Sequence, residues 1–297
     1  KLQSIELPSY NISYTKKGAH LKFKLLVDSP KIIKAIQSEN EMVQRLVDNN
    51  EINGIISDNR FGIYNKDVPS VYLTHQLNVL SGNSTWLSTK LHQKVIKNFN
   101  ECWVPDYEGN KNLSGVLGHS KKISITTKYI GPLSRFNKTD IEKKYDLMVL
   151  LSGPEPQRSI LENKLITELK NYDGKIIFIK GVIESEQKIT IQNKLKIYNY
   201  MTSSELEKVI NESELVISRS GYTTIMDLAK LGKKAFFIPT PGQYEQIYLA
   251  KKFKKDGIAP FCNQDSFCIE KLNEVTHFKG FSKIESNTNY EKLFSLF

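Results

Sequence analysis

From residue 145 onward, short apolar runs alternate with stretches whose apolar residues recur at helical spacing. No other feature of the 297-residue chain constrains its fold as tightly. Residues 145–151 read as a buried strand and 157–170 as a helix with Ile160, Leu161, Leu165, Ile166 and Leu169 on one face. Further strands are expected at 175–180, 195–198, 214–218 and 235–238. Helices are expected from Ser203, over 223–231 and over 244–255. A strand that returns parallel to its neighbour needs a crossover, and a helix is the usual one, so the pattern predicts a doubly wound α/β domain. The first half follows the same grammar less regularly, with strands at 52–57 and 70–74 and a helix over 87–99. Gly131-Pro132 and the polar stretch up to Lys144 read as a linker. The expected organisation is two α/β domains, 1–135 and 136–282, with 283–297 a helix packing back on the first.

Hydrophobic residues make up 39% of the chain, enough for a sizeable core, whereas apolar runs such as 147–151 and 235–238 are far shorter than the roughly 18 residues of a spanning helix. Lys and Arg number 42 against 32 Asp and Glu, a net charge of +10, which points to an anionic partner. Nucleic acid is disfavoured because the basic clusters match no binding module. Six of the lysines (Lys16, Lys17, Lys22, Lys24, Lys31, Lys34) lie within residues 16–34, interleaved with Leu21, Phe23, Leu25, Leu26, Val27, Ile32 and Ile33. That interleaving suits docking on an anionic membrane surface; the alternative is an edge element with solvated lysines. Cys102, Cys262 and Cys268 cannot all pair internally and match no zinc spacing, which favours a reduced, intracellular setting.

In an open α/β sheet ligands gather at the carboxyl ends of the strands, so the residues just after each strand carry the most information. After the strand at 214–218 come Arg219, Ser220 and Gly221, and a helix begins at once with Tyr222, Thr223 and Thr224. Free N–H groups and the positive end of the helix dipole make this start an anion site, which Gly221 lets a phosphate approach closely. Asp227, about one turn into the helix, could accept both hydroxyls of a ribose; alternatively Ser220 only caps the helix and Asp227 faces solvent. After the strand at 235–238, Pro239-Thr240-Pro241-Gly242 leads to Glu245 and Gln246, suited to sugar hydroxyls or simply to an ordinary helix start. After the strand at 145–151, Ser152 and Gly153 could add phosphate contacts and Arg158 charge; a Pro-stiffened turn with a solvated Arg158 is the alternative.

Ser218-Arg219-Ser220-Gly221, followed by Asp227, Gly232, Ile238-Pro239 and Gln246, resembles the donor half of inverting GT-B-fold glycosyltransferases. The nearest family in pattern is the N-acetylglucosaminyltransferase that forms lipid II. In the first half, Ile56–Gly62, Val68–Val71, Thr74-His75-Gln76, Cys102–Pro105 and Tyr129–Arg135 are similar to a bacterial group of glycosyltransferases. The resemblance implies two Rossmann-like domains facing across a cleft, acceptor-side first and nucleotide-sugar-binding second. It implies that Ser220 and Gly221 touch the diphosphate, Asp227 the ribose in place of the family's longer glutamate, and Gln246 the donor sugar. Arg219, Tyr222, Thr223, Ser152, Gly153 and Glu245 join the donor side, with Tyr200 and Met201 beside a uracil read mainly by backbone groups. The family opens with a strand and a Gly-His-containing loop that this chain does not show before Ile5, so the first domain is expected to be incomplete at its N-terminus.

The expected reaction is inverting transfer from a UDP-sugar, as substrate, to a glycan or lipid-linked acceptor, with no further cofactor. The helix start would stabilise the departing diphosphate without a metal. No Asp-x-Asp motif is present, and the near miss, Asp106 and Glu108 between Pro105 and Gly109, reads as a solvated turn. The base is expected at a strand end of the first domain, where Asp58 and His75 both stand. Asp58 could instead make an Asx-turn or pair with Arg60, and His75 could be a satisfied histidine beside the core. His20, His92, His119 and His277 read as surface or packing residues. Two other functions fit the same donor half: a nucleotide-sugar hydrolase or 2-epimerase, and a binding protein without turnover. The expected location is cytoplasmic, peripheral on the inner face of the cell membrane.

Overall fold

The computed structural model describes residues 4–7, 21–120, 123–192, 194–282 and 288–297, with the side chains of the first helix described from residue 30. They divide into two compact units, one of residues up to Pro132 joined by 288–297, the other from Leu133 to 282.

The first unit opens with a long helix, α1 (Leu21–Asp48), that continues through Pro30. Its sheet contains β1 (Ile55–Asp58), β2 (Ser70–Leu73), β3 (Glu101–Val104) and β4 (Thr126–Tyr129), parallel and in that order, with α2 (Thr85–Ile96) between β2 and β3. The inner strands β2 and β3 are covered on both faces, which is why Val71, Tyr72, Cys102, Trp103 and Val104 are all buried. Glu101 is tolerated inside β3 because its carboxylate accepts the Trp103 Nε1 proton at 2.8 Å and meets Lys128 Nζ at 2.7 Å. A short C-terminal helix, Tyr290–Leu293, adds Leu293 to the cluster of Val71, Trp103 and Ile130.

The part of the lysine-rich segment that is described is therefore helical, not an edge element. Lys31 and Lys34 are exposed on α1, as is Ile33; Lys16 and Lys17 lie outside the described residues.

The second unit runs β5 (Tyr145–Leu150), α3 (Gln157–Glu168), β6 (Ile176–Ile179), β7 (Ile189–Gln192), β8 (Leu195–Tyr198), α4 (Ser203–Asn211), β9 (Ser213–Ser218), α5 (Tyr222–Leu231), β10 (Lys234–Phe237) and α6 (Tyr244–Lys255). Its sheet order is β10-β9-β5-β6-β8-β7, parallel except for the edge pair β7 and β8. Leu147, Val149, Ile176, Phe178 and Ile217 from the inner strands and Phe236 from the edge strand β10 share one core cluster with Leu161 and Leu165 of α3. Local signals set the helix bounds. Thr202 and Glu205 form a reciprocal capping box ahead of α4, and Gly232 ends α5 in the left-handed conformation at φ 64°.

The amino edge of this sheet is closed by a polar network around the buried Asn211, Ser213 and Lys233. Asn211 Nδ2 donates to the carbonyls of Asn137 (2.9 Å) and Glu207 (3.0 Å), and its Oδ1 accepts the Thr139 N–H at 3.1 Å. Lys233 Nζ donates to the carbonyls of Asn211 (3.0 Å) and Ser213 (2.8 Å), while Lys143 Nζ shares the first of them at 2.6 Å. Burial, reinforced by Lys143, pulls the Lys233 ammonium down to about 7.

Candidate functional site

At the other edge of this sheet, β5 pairs with β9, Leu150 lying opposite Ser218. The unit's chain enters at β5 and winds outward in both directions, so β5 and β9 flank the topological switch point, where the crevice of a doubly wound sheet opens. The two loops leaving these strands carry Ser152–Gly153 and Ser220–Gly221. Four residues from separate sequence segments are thereby brought to one edge.

Gly221 is the N-cap of α5, at φ −72° and ψ 143°, and a side chain placed on it would meet no atom of the described residues within 4 Å. Its lack of a side chain answers no internal crowding; the space over the first N–H groups of α5 is open. Gly153 likewise faces open space, and its φ of 104° belongs to glycine. Ser152 is exposed, Tyr222 buried, and Thr223 exposed on the first turn. The alternative in which Ser220 caps α5 does not hold: its hydroxyl donates to the Gln246 carbonyl at 2.7 Å and so ties the β9 loop to α6. Gln246 Oε1 accepts the Thr240 N–H at 2.8 Å, fixing the loop after β10, and Glu245 is half-buried in the first turn of α6.

Asp227 is half-buried on α5 and accepts the Ser134 hydroxyl at 2.6 Å. Burial raises its carboxyl, opposed by the Ser134 hydrogen bond and the charge of Arg135. Asp227 therefore does not simply face solvent. Tyr200 and Met201 follow β8 in a loop held by Asn199, whose Oδ1 accepts the N–H of Tyr200 (3.0 Å) and of Lys188 (2.8 Å), while Gln187 Nε2 donates to the Tyr200 carbonyl at 3.1 Å.

Arg219 corrects the expectation from the sequence. Its side chain is buried and turned inward, Nη1 donating to the carbonyls of Ile238 (3.0 Å) and Pro239 (3.1 Å) and Nη2 to the Gln157 carbonyl (2.9 Å) and Gln264 Oε1 (2.6 Å). It clamps the ends of β9 and β10 to the start of α3, with both Nη groups spent on partners inside the unit. Burial without a carboxylate partner lowers it to about 10. Arg158 is neither solvated nor aimed at a ligand: it pairs with Glu155 and Glu162.

In the first unit, Asp58 is exposed at the end of β1, and Arg60 pairs with Glu39 of α1 instead, Nε to Oε1 at 2.6 Å. Glu39 also accepts the Gly62 N–H at 3.0 Å, and a side chain on Gly62 would clash with the Ile36 carbonyl, so glycine is required where this loop passes α1. His75, half-buried, follows β2. Behind it His92 is buried edge-on against Phe61 and Tyr72, and burial lowers its imidazole to about 4, which makes it a neutral packing residue.

Asp106 is a second correction. It is fully buried and accepts the N–H groups of Tyr107, Leu113 and Ser114, each at 2.8 Å, so it organises the loop after β3 and is no solvated turn. His119, stacked on Tyr129 at 4.7 Å, brings Nε2 to 3.4 Å from its Oδ2. Among the described residues no group of three or more His, Cys, Asp or Glu could hold a metal, and no helix is long and apolar enough to cross a membrane.

Residues 157–292 match the Glycosyltransferase family 28 C-terminal domain. The UDP-N-acetylglucosamine–N-acetylmuramyl-(pentapeptide) pyrophosphoryl-undecaprenol N-acetylglucosamine transferase of Exiguobacterium sibiricum is 24% identical over 177 residues, 57% of this chain and 47% of that protein. The enzyme of the same name from Buchnera aphidicola is 26% identical over 230 residues, 75% of this chain and 58% of its own. The chain thus spans about half the length of these curated relatives. Among solved structures, the calicheamicin glycosyltransferase CalG4 superposes with a TM-score of 0.57 at 8% identity, covering 90% of this chain and 76% of that one. The fold is that of GT-B glycosyltransferases, and in sequence the chain is similar to the lipid II-forming N-acetylglucosaminyltransferases.

Proposed function

We propose that this chain is an inverting, metal-independent glycosyltransferase that moves a sugar from a UDP-sugar to a hydroxyl of a lipid-linked or glycan acceptor. The observation that carries the reading is the open, glycine-capped start of α5 beside the Ser152–Gly153 loop at the switch point, with Asp227 on the same helix. Fixed N–H dipoles at that start neutralise the diphosphate as the glycosidic bond breaks, and they need no reorganisation to do so. Asp227 accepts the ribose hydroxyls, the loop at Tyr200 and Met201 lies beside the base, and Glu245 and Gln246 face the sugar. Asp58 and His75, at the carboxyl ends of the adjacent strands β1 and β2, are the two candidates for deprotonating the acceptor. Lys31, Lys34 and the exposed Ile33 on α1 suit contact with an anionic leaflet on the cytoplasmic side. The similar relatives are named for a UDP-sugar donor and a lipid-linked acceptor, which supports this pairing.

The test incubates the protein with UDP-sugars and measures UDP release with and without a lipid extract, in buffer containing EDTA. Release that depends on the extract and survives EDTA supports the reading. Free sugar released without acceptor selects a hydrolase, a 2-epimer selects an epimerase, and binding without turnover selects a binding protein.

A further inference from the structure

The segment that enters the second unit is fastened to the helix that carries Asp227. Ser134 Oγ donates to Asp227 Oδ1 at 2.6 Å and accepts the Phe136 N–H at 3.2 Å, so its hydroxyl is fixed from both sides. Phe136 is buried, and the Arg135 guanidinium lies 5.1 Å from the centre of its ring. Lifting this segment off α5 would expose an aromatic side chain. A carboxylate offers about four lone-pair directions, and Ser134 occupies one of those on Oδ1, leaving Oδ2 for other donors. Aspartate also has one methylene less than the glutamate that the resemblance places here, so it has less freedom to search for a ligand and depends more on being aimed.

We infer that Ser134 is a positioning residue, whose hydroxyl holds the Asp227 carboxylate in the orientation that accepts the 2′,3′-diol of a nucleoside diphosphate. The inference rests on the donor reading of the same site. Without Ser134, Asp227 keeps its charge but must be ordered when the ligand binds, and the ribose contact weakens.

Calorimetric titration of the whole chain with UDP and with 2′,3′-dideoxy-UDP, which lacks the diol, tests this. Ser134→Ala is expected to weaken UDP binding about three- to tenfold, the effect of one side chain newly immobilised on binding. Binding of the dideoxy compound stays unchanged, and Ser134→Thr restores most of the loss. Ser134→Cys, close in size with a weak S–H donor, carries the same expectation as the alanine variant should that one not fold. Wild-type affinity in S134A, an equal loss for both ligands, or failure of S134T to restore UDP binding overturns the inference. Asp227→Ala separates it from the reading beneath it. If D227A binds UDP like wild type, the ribose role itself fails; if D227A is weakened while S134A is not, only the role of Ser134 fails.

Discussion

The two edges of the six-stranded sheet treat their polar groups in opposite ways. At the amino edge, Asn211, Lys143 and Lys233 spend their donors on carbonyls of the chain itself. At the carboxyl edge, a side chain on Gly153 or Gly221 would meet no atom of the described residues within 4 Å, and Ser152 and Thr223 are exposed. Arg219 lies beneath the open edge but behaves like the closed one, all its named partners being internal. A satisfied polar group supports the fold; an unsatisfied, accessible one is available to a ligand. Substitutions at the amino edge should therefore lower stability and spare UDP binding, and substitutions at the carboxyl edge should do the reverse.

The largest effect is expected at Asn211. Asn211→Ala removes three hydrogen bonds made by a buried side chain, to Asn137, Thr139 and Glu207, and should cost about 3 kcal/mol in denaturant unfolding, with UDP affinity per folded molecule unchanged. Next, Gly221→Val fills the space over the start of α5 at a backbone conformation that valine adopts without strain. It should weaken UDP binding about a hundredfold, ~2.7 kcal/mol by calorimetry, and leave the melting temperature near that of wild type. If G221V lowers stability and spares binding, the two edges are not distinguished as described.

Lys233 sharpens the contrast through pH. Its folded value of about 7 lies below the unfolded value of roughly 10.4, so between these limits the unfolded chain binds more protons and stability rises with pH. Measured against Lys233→Met, wild type should gain about 2 kcal/mol from pH 7 to pH 9, and little between pH 5 and 6 where both states are protonated. A flat difference across pH 7 to 9 would show that Lys233 stays charged. The smallest effect is expected at Asp227, where Asp227→Ala should weaken UDP binding at least about tenfold, ~1.4 kcal/mol.

How legible these edges are in the sequence depends on the distance over which partners are recruited. β8 and α6 keep the bounds expected of them, because an apolar run or a helical period is set within a few residues. α1 is not announced by the sequence, since Pro30 reads locally as a stop and yet lies inside the helix. β3 and β4 are not announced by the sequence; Glu101 looks wrong for a buried strand until Trp103 and Lys128 are placed beside it. β7, a short edge strand exposed along its length, carries no buried face to read. The donor loops were legible because glycine after a strand and before a helix is a local signal. The fate of Arg219 was not, because its acceptors Gln157 and Gln264 lie 62 and 45 positions away. Asp106 reads as a turn residue until the N–H groups of Leu113 and Ser114 converge on it. Ser134 meets Asp227 across 93 positions, and no sequence pattern announces that pair.

The most direct measurement is a crystal structure of the chain with UDP bound. The open start of α5 predicts diphosphate oxygens within about 3 Å of main-chain N–H groups at Gly221 and Tyr222, with both ribose hydroxyls on the Asp227 carboxylate. UDP seated elsewhere, or a diphosphate that leaves those N–H groups without contact, would contradict the donor site at this edge of the sheet.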